Sequence, residues 1–192
     1  MAVAGSAGSR PMRADARRNY DRLLEEARQA FVTHGTDVAL EDIARSAGVG
    51  IGTLYRHFPD RNALMTAVFE TELDALSVRG TELLTLDPPT EALRLWLRDV
   101  ALHTAMYRGV AAILMASQNP FTAACRDRLR GSGGALLRRA QEAGEVREDT
   151  EIADLLKLTH AVLLAAEKSP EDRELFARLM GLIMDGLRAK AG

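Results

Sequence analysis

Residues 40–64, LEDIARSAGVGIGTLYRHFPDRNAL, constrain the fold more than any other stretch of the chain. Leu40, Ile43, Ala44 and Ala47 fall at i, i+3, i+4 and i+7, which is one apolar face of a short helix. Gly48 follows, where a left-handed backbone ends that helix at no Cβ penalty. Val49 and Ile51 lead into a second short helix in which Leu54 and Phe58 share a face. Thr53, Tyr55, Arg56 and His57 are left pointing mostly away from it. Pro59 stops the second helix, and Asp60 is placed to cap the next. Ala44, a small side chain four positions before the turn glycine, suits the close approach of two helices. Two short helices joined by a tight turn, with a third starting directly after, form the layout of a helix-turn-helix, whose second helix enters the DNA major groove.

The rest of the chain reads as helical. Tyr20, Leu23, Leu24, Ala27, Ala30 and Phe31 stripe a helix over about 15–34, ended by Gly35. Asp37 is the nearest candidate cap for the helix that opens at Leu40, because Ala39 cannot cap. Leu64, Met65, Val68, Phe69, Leu73 and Leu76 stripe a helix over about 61–80. Only Pro59 and Asp60 separate it from Phe58, so its movement should carry the preceding helix with it. Asp87-Pro88-Pro89 breaks the chain, and Thr90 can cap a helix over about 90–108. Gly109 divides that helix from an apolar one, VAAILMAS, and Asn119-Pro120 is a further breaker. A helix over about 121–143 carries Gly131-Ser132-Gly133-Gly134, which either end it or permit close packing. Helices over about 150–168 and 170–190 close the chain, with Pro170 suited to a first turn. The result is an all-α chain of about nine helices. Residues 1–13 form a disordered basic arm, 14–60 the helix-turn-helix unit and 61–192 a larger helical body.

Composition narrows the function classes. Hydrophobic residues make up 47% of the 192, enough for a real core, while the formal charge of −2 excludes a generally basic nucleic-acid coat. Residues 1–65 hold nine Arg against eight Asp and Glu, a weak excess in the direction that suits a DNA-binding N-terminus. The single cysteine, Cys125, allows no internal disulfide and no cysteine-rich metal framework. No two of the four histidines fall at i and i+4, so no metal spacing exists, and neither a cofactor nor a metal is expected. Without a strand there is no glycine-rich phosphate loop, which leaves a small helical enzyme as the weaker alternative. No apolar run approaches a membrane span, and the N-terminus lacks the order of a secretion signal, so a cytoplasmic protein is expected.

GVGIGTLYRHFPDRNAL, preceded by LEDIARSA, resembles the helix-turn-helix of the Tet-repressor-like (TetR) transcriptional regulators. Ile43-Ala44, Ala47-Gly48-Val49, Thr53-Leu54-Tyr55, His57-Phe58, Arg61 and Leu64 carry the likeness, which covers roughly residues 15–65. The resemblance implies that Thr53, Tyr55 and His57 contact phosphates or base edges, that Gly52 allows close backbone approach and that Arg61 grips a phosphate. Arg56 stands at a variable position, where a guanidinium reads guanine at about 1–3 kcal/mol of discrimination. Arg17 and Arg18, in a basic cluster with Arg10 and Arg13 just ahead of the motif, are further candidates for phosphate contact. One departure is Ala39, where the family often has a capping Thr or Ser.

The resemblance also implies that 61–192 is a ligand-binding and dimerisation domain. Trp96, His103, Met106, Tyr107, Met115, Cys125 and His160 are the polar or soft residues set among apolar ones, and are the candidates for lining a small-molecule cavity. Each has a plainer reading as core, and Trp96, His103 and Tyr107 are close to i, i+7 and i+11. The last two helices have apolar faces wider than one buried side requires. Leu155, Leu158, Val162, Phe176, Leu179, Ile183 and Leu187 are therefore expected at a homodimer interface. The expected function is a ligand-responsive repressor that binds double-stranded palindromic operator DNA, with a DNA-binding protein lacking an effector as the alternative.

Overall fold

The computed structural model of the chain describes residues 9–107 and 120–189. Among these it holds eight helices: α1 (Ser9–His34), α2 (Leu40–Ser46), α3 (Ile51–His57), α4 (Arg61–Leu83), α5 (Pro89–Met106), α6 (Pro120–Glu142), α7 (Ile152–Glu167) and α8 (Leu175–Gly186). The helix expected over VAAILMAS and most of the expected N-terminal arm lie outside the described residues. α1 starts at Ser9 rather than near Asp15. Pro11 falls in its first turn, where a missing N–H leaves no bond unmade.

The head forms as its local sequence dictates. Leu23, Ala27 and Phe31 of α1 pack on Leu40, Ile43, Ala44 and Ala47, and on Leu54 and Phe58 beyond the turn; all are buried. Gly48 takes φ +66, and the Val49 amide donates to the Ala44 carbonyl at 3.0 Å to close the turn. Ala39 is the residue ahead of α2 and makes no side-chain cap; Asp37 does not replace it. The open N-terminus of α2 is instead balanced by Glu41 and Asp42 in its first turn, facing the positive end of the helix dipole. Asp60 caps α4, accepting from the Ala63 amide at 2.8 Å.

α4 carries the head into the body. Its buried residues, Leu64, Met65, Val68, Phe69, Leu73 and Leu76, belong to one apolar core that runs from Leu23 in α1 to Leu187 at the chain's end. α4, α5 and α6 pack together around Trp96. The indole Nε1 donates to the Leu76 carbonyl at 3.1 Å. A Cβ built on Gly133 would sit 2.4 Å from one indole carbon, and one on Gly80 only 3.1 Å from Nε1. The glycines of α6 therefore permit close packing, and the helix runs through them unbroken.

Two helix starts differ from the sequence expectation. Thr90 does not cap α5. Its amide and hydroxyl both donate to the Glu145 carboxylate, the amide at 2.8 Å, so the cap comes from the loop after α6. Pro170 lies in the turn ahead of α8 rather than in its first turn. An Asp172–Arg178 pair at 2.6 Å holds that turn. The chain end is pinned to the same post-α6 loop, where the Arg147 amide donates to the Leu187 carbonyl at 2.9 Å beside a Val146–Arg188 bridge. Among the described residues no helix is long and apolar enough to cross a membrane.

Candidate nucleic-acid interface and effector cleft

α3 presents two faces. Leu54 is fully buried and fixes the helix on α1 and α2, while Gly52, Tyr55 and Arg56 are exposed, with Tyr55 46% accessible. A Cβ on Gly52 would meet nothing within 4 Å, so that side of the helix is open to an approaching backbone. Thr53 and His57 are half-buried at the edges of the face. The His57 ring stands edge-on to Tyr20 of α1, with centroids 5.7 Å apart, and Tyr20 also leans on Phe58. His57 is thus oriented by the protein before any DNA arrives.

The basic candidates divide. Arg17 and Arg18 are exposed on α1, Arg18 in an ion pair with Asp15. Arg61 behaves differently from the phosphate grip implied by the resemblance. Its Nη1 donates to the carbonyls of Thr36 and Val38, each at 2.6 Å, and the side chain is partly buried. The carbonyls of the α1–α2 loop have no helical partner, and the guanidinium supplies one. Arg61 therefore ties α4 to that loop. Arg22, which the sequence reading does not single out, is exposed on α1 and, among the described residues, bonded only to the neutral Asn19, at 2.6 Å. One Nη would lie 3.6 Å from a Cβ on Gly48, so its charge hangs over the helix-turn-helix turn. The i, i+4 spacing from Arg18 was the available signal.

The seven cavity candidates scatter. Trp96 is fully buried and hydrogen-bonded to backbone, a core residue clamped by Gly80 and Gly133. His160 is exposed on α7 and is not among the residues lining the cleft that holds His103. Met115 and the Cys125 side chain lie outside what is described. His103, Met106 and Tyr107 do come together, on one edge of a cleft of about 310 Å³ between α4 and α5 that also takes in Glu72, Leu76 and Leu102. Tyr107 is 1% exposed, yet among the described residues its hydroxyl has no hydrogen-bond partner of normal geometry, and neither has the buried Nε2 of His103. The two rings lie 4.9 Å apart. Burial pushes the Tyr107 phenol up to about 12, with the neighbouring Glu72 charge adding to it, and holds the His103 imidazole down at about 4.

The expected interface residues also sort by burial. Leu155 and Leu187 are buried within the chain and belong to its own core. Val162, Phe176, Leu179 and Ile183 are half-buried, and Leu158 is 47% exposed. Leu164 and Leu182, at 40% and 67% exposed, extend the open apolar face across α7 and α8.

Comparison with known proteins bears on both halves. Residues 23–68 match the family described as bacterial regulatory proteins, tetR family, and residues 88–189 the family described as transcriptional regulator SbtR-like, C-terminal domain. The chain belongs to the TetR family of bacterial transcriptional regulators. Two solved TetR regulators resemble it over nearly their whole length. One, from Streptomyces coelicolor, is 36% identical with a TM-score of 0.74, over 89% of this chain and 99% of that one. The other, from Mycobacterium vanbaalenii, is 35% identical with a TM-score of 0.70, over 93% and 99%. An HTH-type transcriptional regulator of Staphylococcus aureus (strain USA300) is 41% identical over 64 residues, 33% of this chain. The match spans about a third of the length of such curated relatives, 35% of this one. In this TetR chain the cleft lies in the body, within and just before the part matched by the C-terminal family.

Proposed function

We propose that the chain is a homodimeric repressor that binds a palindromic operator through α3 in the bacterial cytoplasm and is released by a small molecule held between α4 and α5. The observation that carries the reading is the two-faced α3: Leu54 is locked in the core while Gly52, Tyr55 and Arg56 stand open, and Arg17, Arg18 and Arg22 are exposed on α1. Tyr55 and Arg56 read base edges and phosphates, and the α1 arginines set the register on the backbone.

Dimerisation through the open face of α7 and α8, with Leu158, Leu179 and Leu182 at its centre, doubles the head. Two-fold symmetry then demands half-sites about 34–36 Å apart or a multiple of that. A ligand that favours the wrongly spaced conformation weakens DNA binding by the factor by which DNA weakens its own binding. α4 transmits the change, because Asp60 caps it directly after the reading helix and Arg61 ties it to the α1–α2 loop. A DNA-binding protein without an effector is the poorer reading: it leaves without purpose a Tyr107 hydroxyl and a His103 nitrogen that have no hydrogen-bond partner of normal geometry among the described residues.

The test is competition. Genomic fragments retained by the purified protein are challenged with random DNA at fixed salt. Specific fragments that survive a large excess support the regulator; equal displacement of all fragments overturns it.

A further inference from the structure

Glu72 of α4 stands on the wall between two clefts. On one side it faces α1, in a cleft of about 230 Å³ lined also by Glu25 and Arg28. On the other it faces the α4–α5 cleft with His103, Met106 and Tyr107. Its link to the head is loose: Arg28 Nε is 3.9 Å from its carboxylate. The same guanidinium is held in two-point fashion by Glu25, at 2.9 and 2.7 Å. Arg28 therefore has a full partner on its own helix and can release Glu72 without being left bare. Glu72 has no second ion pair among the described residues, and its other polar neighbour is the neutral Tyr107 hydroxyl.

We propose that the effector of this regulator is an organic cation with an apolar body, whose charged group takes Glu72 in place of Arg28 and so loosens α1 from α4. This rests on the ligand-released reading above and adds the chemical class and the point of action. Three observations support it. Among the described residues the charged side chains lining the effector cleft are Glu72, Asp99 and Arg79, an excess of one negative charge. Asp99 is already matched by Arg79 at 3.5 Å and Arg98 at 3.0 Å, so Glu72 carries that excess. Burial holds the Glu72 carboxyl above its ordinary value despite Arg28, the mark of a negative charge short of compensation. Among the described residues, neither the Tyr107 hydroxyl, which lies close to both Arg28 and Glu72, nor the His103 Nε2 has a hydrogen-bond partner of normal geometry, and the hydroxyl and, in one tautomer, the Nε2 can accept from the N–H groups of an ammonium. Leu76, Leu102 and Met106 supply an apolar wall, with Leu102 and Met106 about half exposed. An anion or a neutral alcohol of the same shape would meet Glu72 without neutralising it.

The experiment is calorimetric titration of the full chain with phenylbutylamine, phenylbutanol and phenylbutyrate, which share a body and differ in charge. The amine should bind at least about tenfold tighter than the other two, the size expected of a hydrogen bond to a charged group. Glu72→Gln, which keeps the side-chain shape, should bring the amine down to the level of the alcohol with the thermal midpoint confirming a folded chain. Should that variant fail to fold, Tyr107→Phe serves instead, with the amine weakened several-fold and the alcohol less. Equal affinity for all three, tightest binding of the carboxylate, or an amine preference that survives in both variants overturns the proposal. Operator affinity is measured separately without ligand. Loss of sequence-specific DNA binding there counts against the regulator reading alone; an amine that binds at Glu72 and leaves operator affinity unchanged overturns the release step.

Discussion

Placing a methyl group at Gly133 should destabilise the body, whereas the same change two residues earlier should stabilise it. A Cβ at Gly133 would lie 2.4 and 2.7 Å from two carbons of the Trp96 ring and 2.8 Å from Ile152 Cδ1. The indole cannot move aside: it is fully buried, its Nε1 is held by the Leu76 carbonyl, and Gly80 closes in from the other side. Overpacking of this kind costs about 1–3 kcal/mol. Against it stands the gain of about 1 kcal/mol from replacing a mid-helix glycine by alanine. The net loss for Gly133→Ala is up to about 2 kcal/mol, or up to roughly 8 °C in thermal midpoint for a chain of this size, and it stands about 1–3 kcal/mol below Gly131→Ala. Gly131→Ala meets open space and keeps the whole gain, about 0.5–1 kcal/mol. Thermal unfolding of the two variants at matched protein concentration reads the difference, since a dimer's midpoint depends on concentration. If Gly133→Ala were as stable as Gly131→Ala, the close approach of α5 and α6 around Trp96 would be wrong.

Three further outcomes are expected. Arg61→Ala should cost about 1–3 kcal/mol of stability by stripping the Thr36 and Val38 carbonyls of their donor; the salt dependence of operator binding should keep its slope, whereas a phosphate-gripping Arg61 would lower it by about 1. Leu182→Glu puts a charge on the most open part of the α7–α8 face and should give a folded monomer by light scattering, with a persistent dimer counting against that interface. Because burial holds folded His103 at about 4 against an ordinary value of 6.5, the unfolded chain takes up that proton first as pH falls. The stability His103 brings is therefore complete above about pH 6.5 and shrinks towards pH 4, by about 2–3 kcal/mol at pH 4.5. Glu72, held above its ordinary value, works in the opposite direction, so the comparison is with His103→Gln in urea titrations: the variant should lose less than the parent between about pH 7 and 4.5.

What could be read from the sequence was local. Gly48 at φ +66, the Asp60 cap and the buried faces of Leu40, Ile43, Leu54 and Phe58 all follow from spacing within a few residues, and the head has the form that spacing implies. The errors arose where a distant segment decides. Trp96 at helical spacing looks alike whether it lines a cavity or fills a core; Gly80 of α4 and Gly133 of α6, which clamp it, come from two other helices. Thr90 loses its capping role to Glu145, 55 positions away, and Arg61 is spent on carbonyls 25 and 23 positions back. Leu155 and Leu187 look identical to Leu158 in pattern, yet they turn inward because the post-α6 loop and α8 close over them. The tie from Glu72 to Arg28 left no mark in the sequence, since acidic and basic residues at such separation are everywhere in a chain that is 27% charged.

The central claim is that one α3 per subunit reads one half of a symmetric site. Selection of bound sequences from a random DNA pool by the purified full chain tests it most directly. The account predicts an enriched palindrome whose half-sites are about one or two helical turns apart, centre to centre, and loss of that enrichment for Tyr55→Ala or Arg56→Ala. An enriched site with a single asymmetric element, or a pool that stays random, would contradict it.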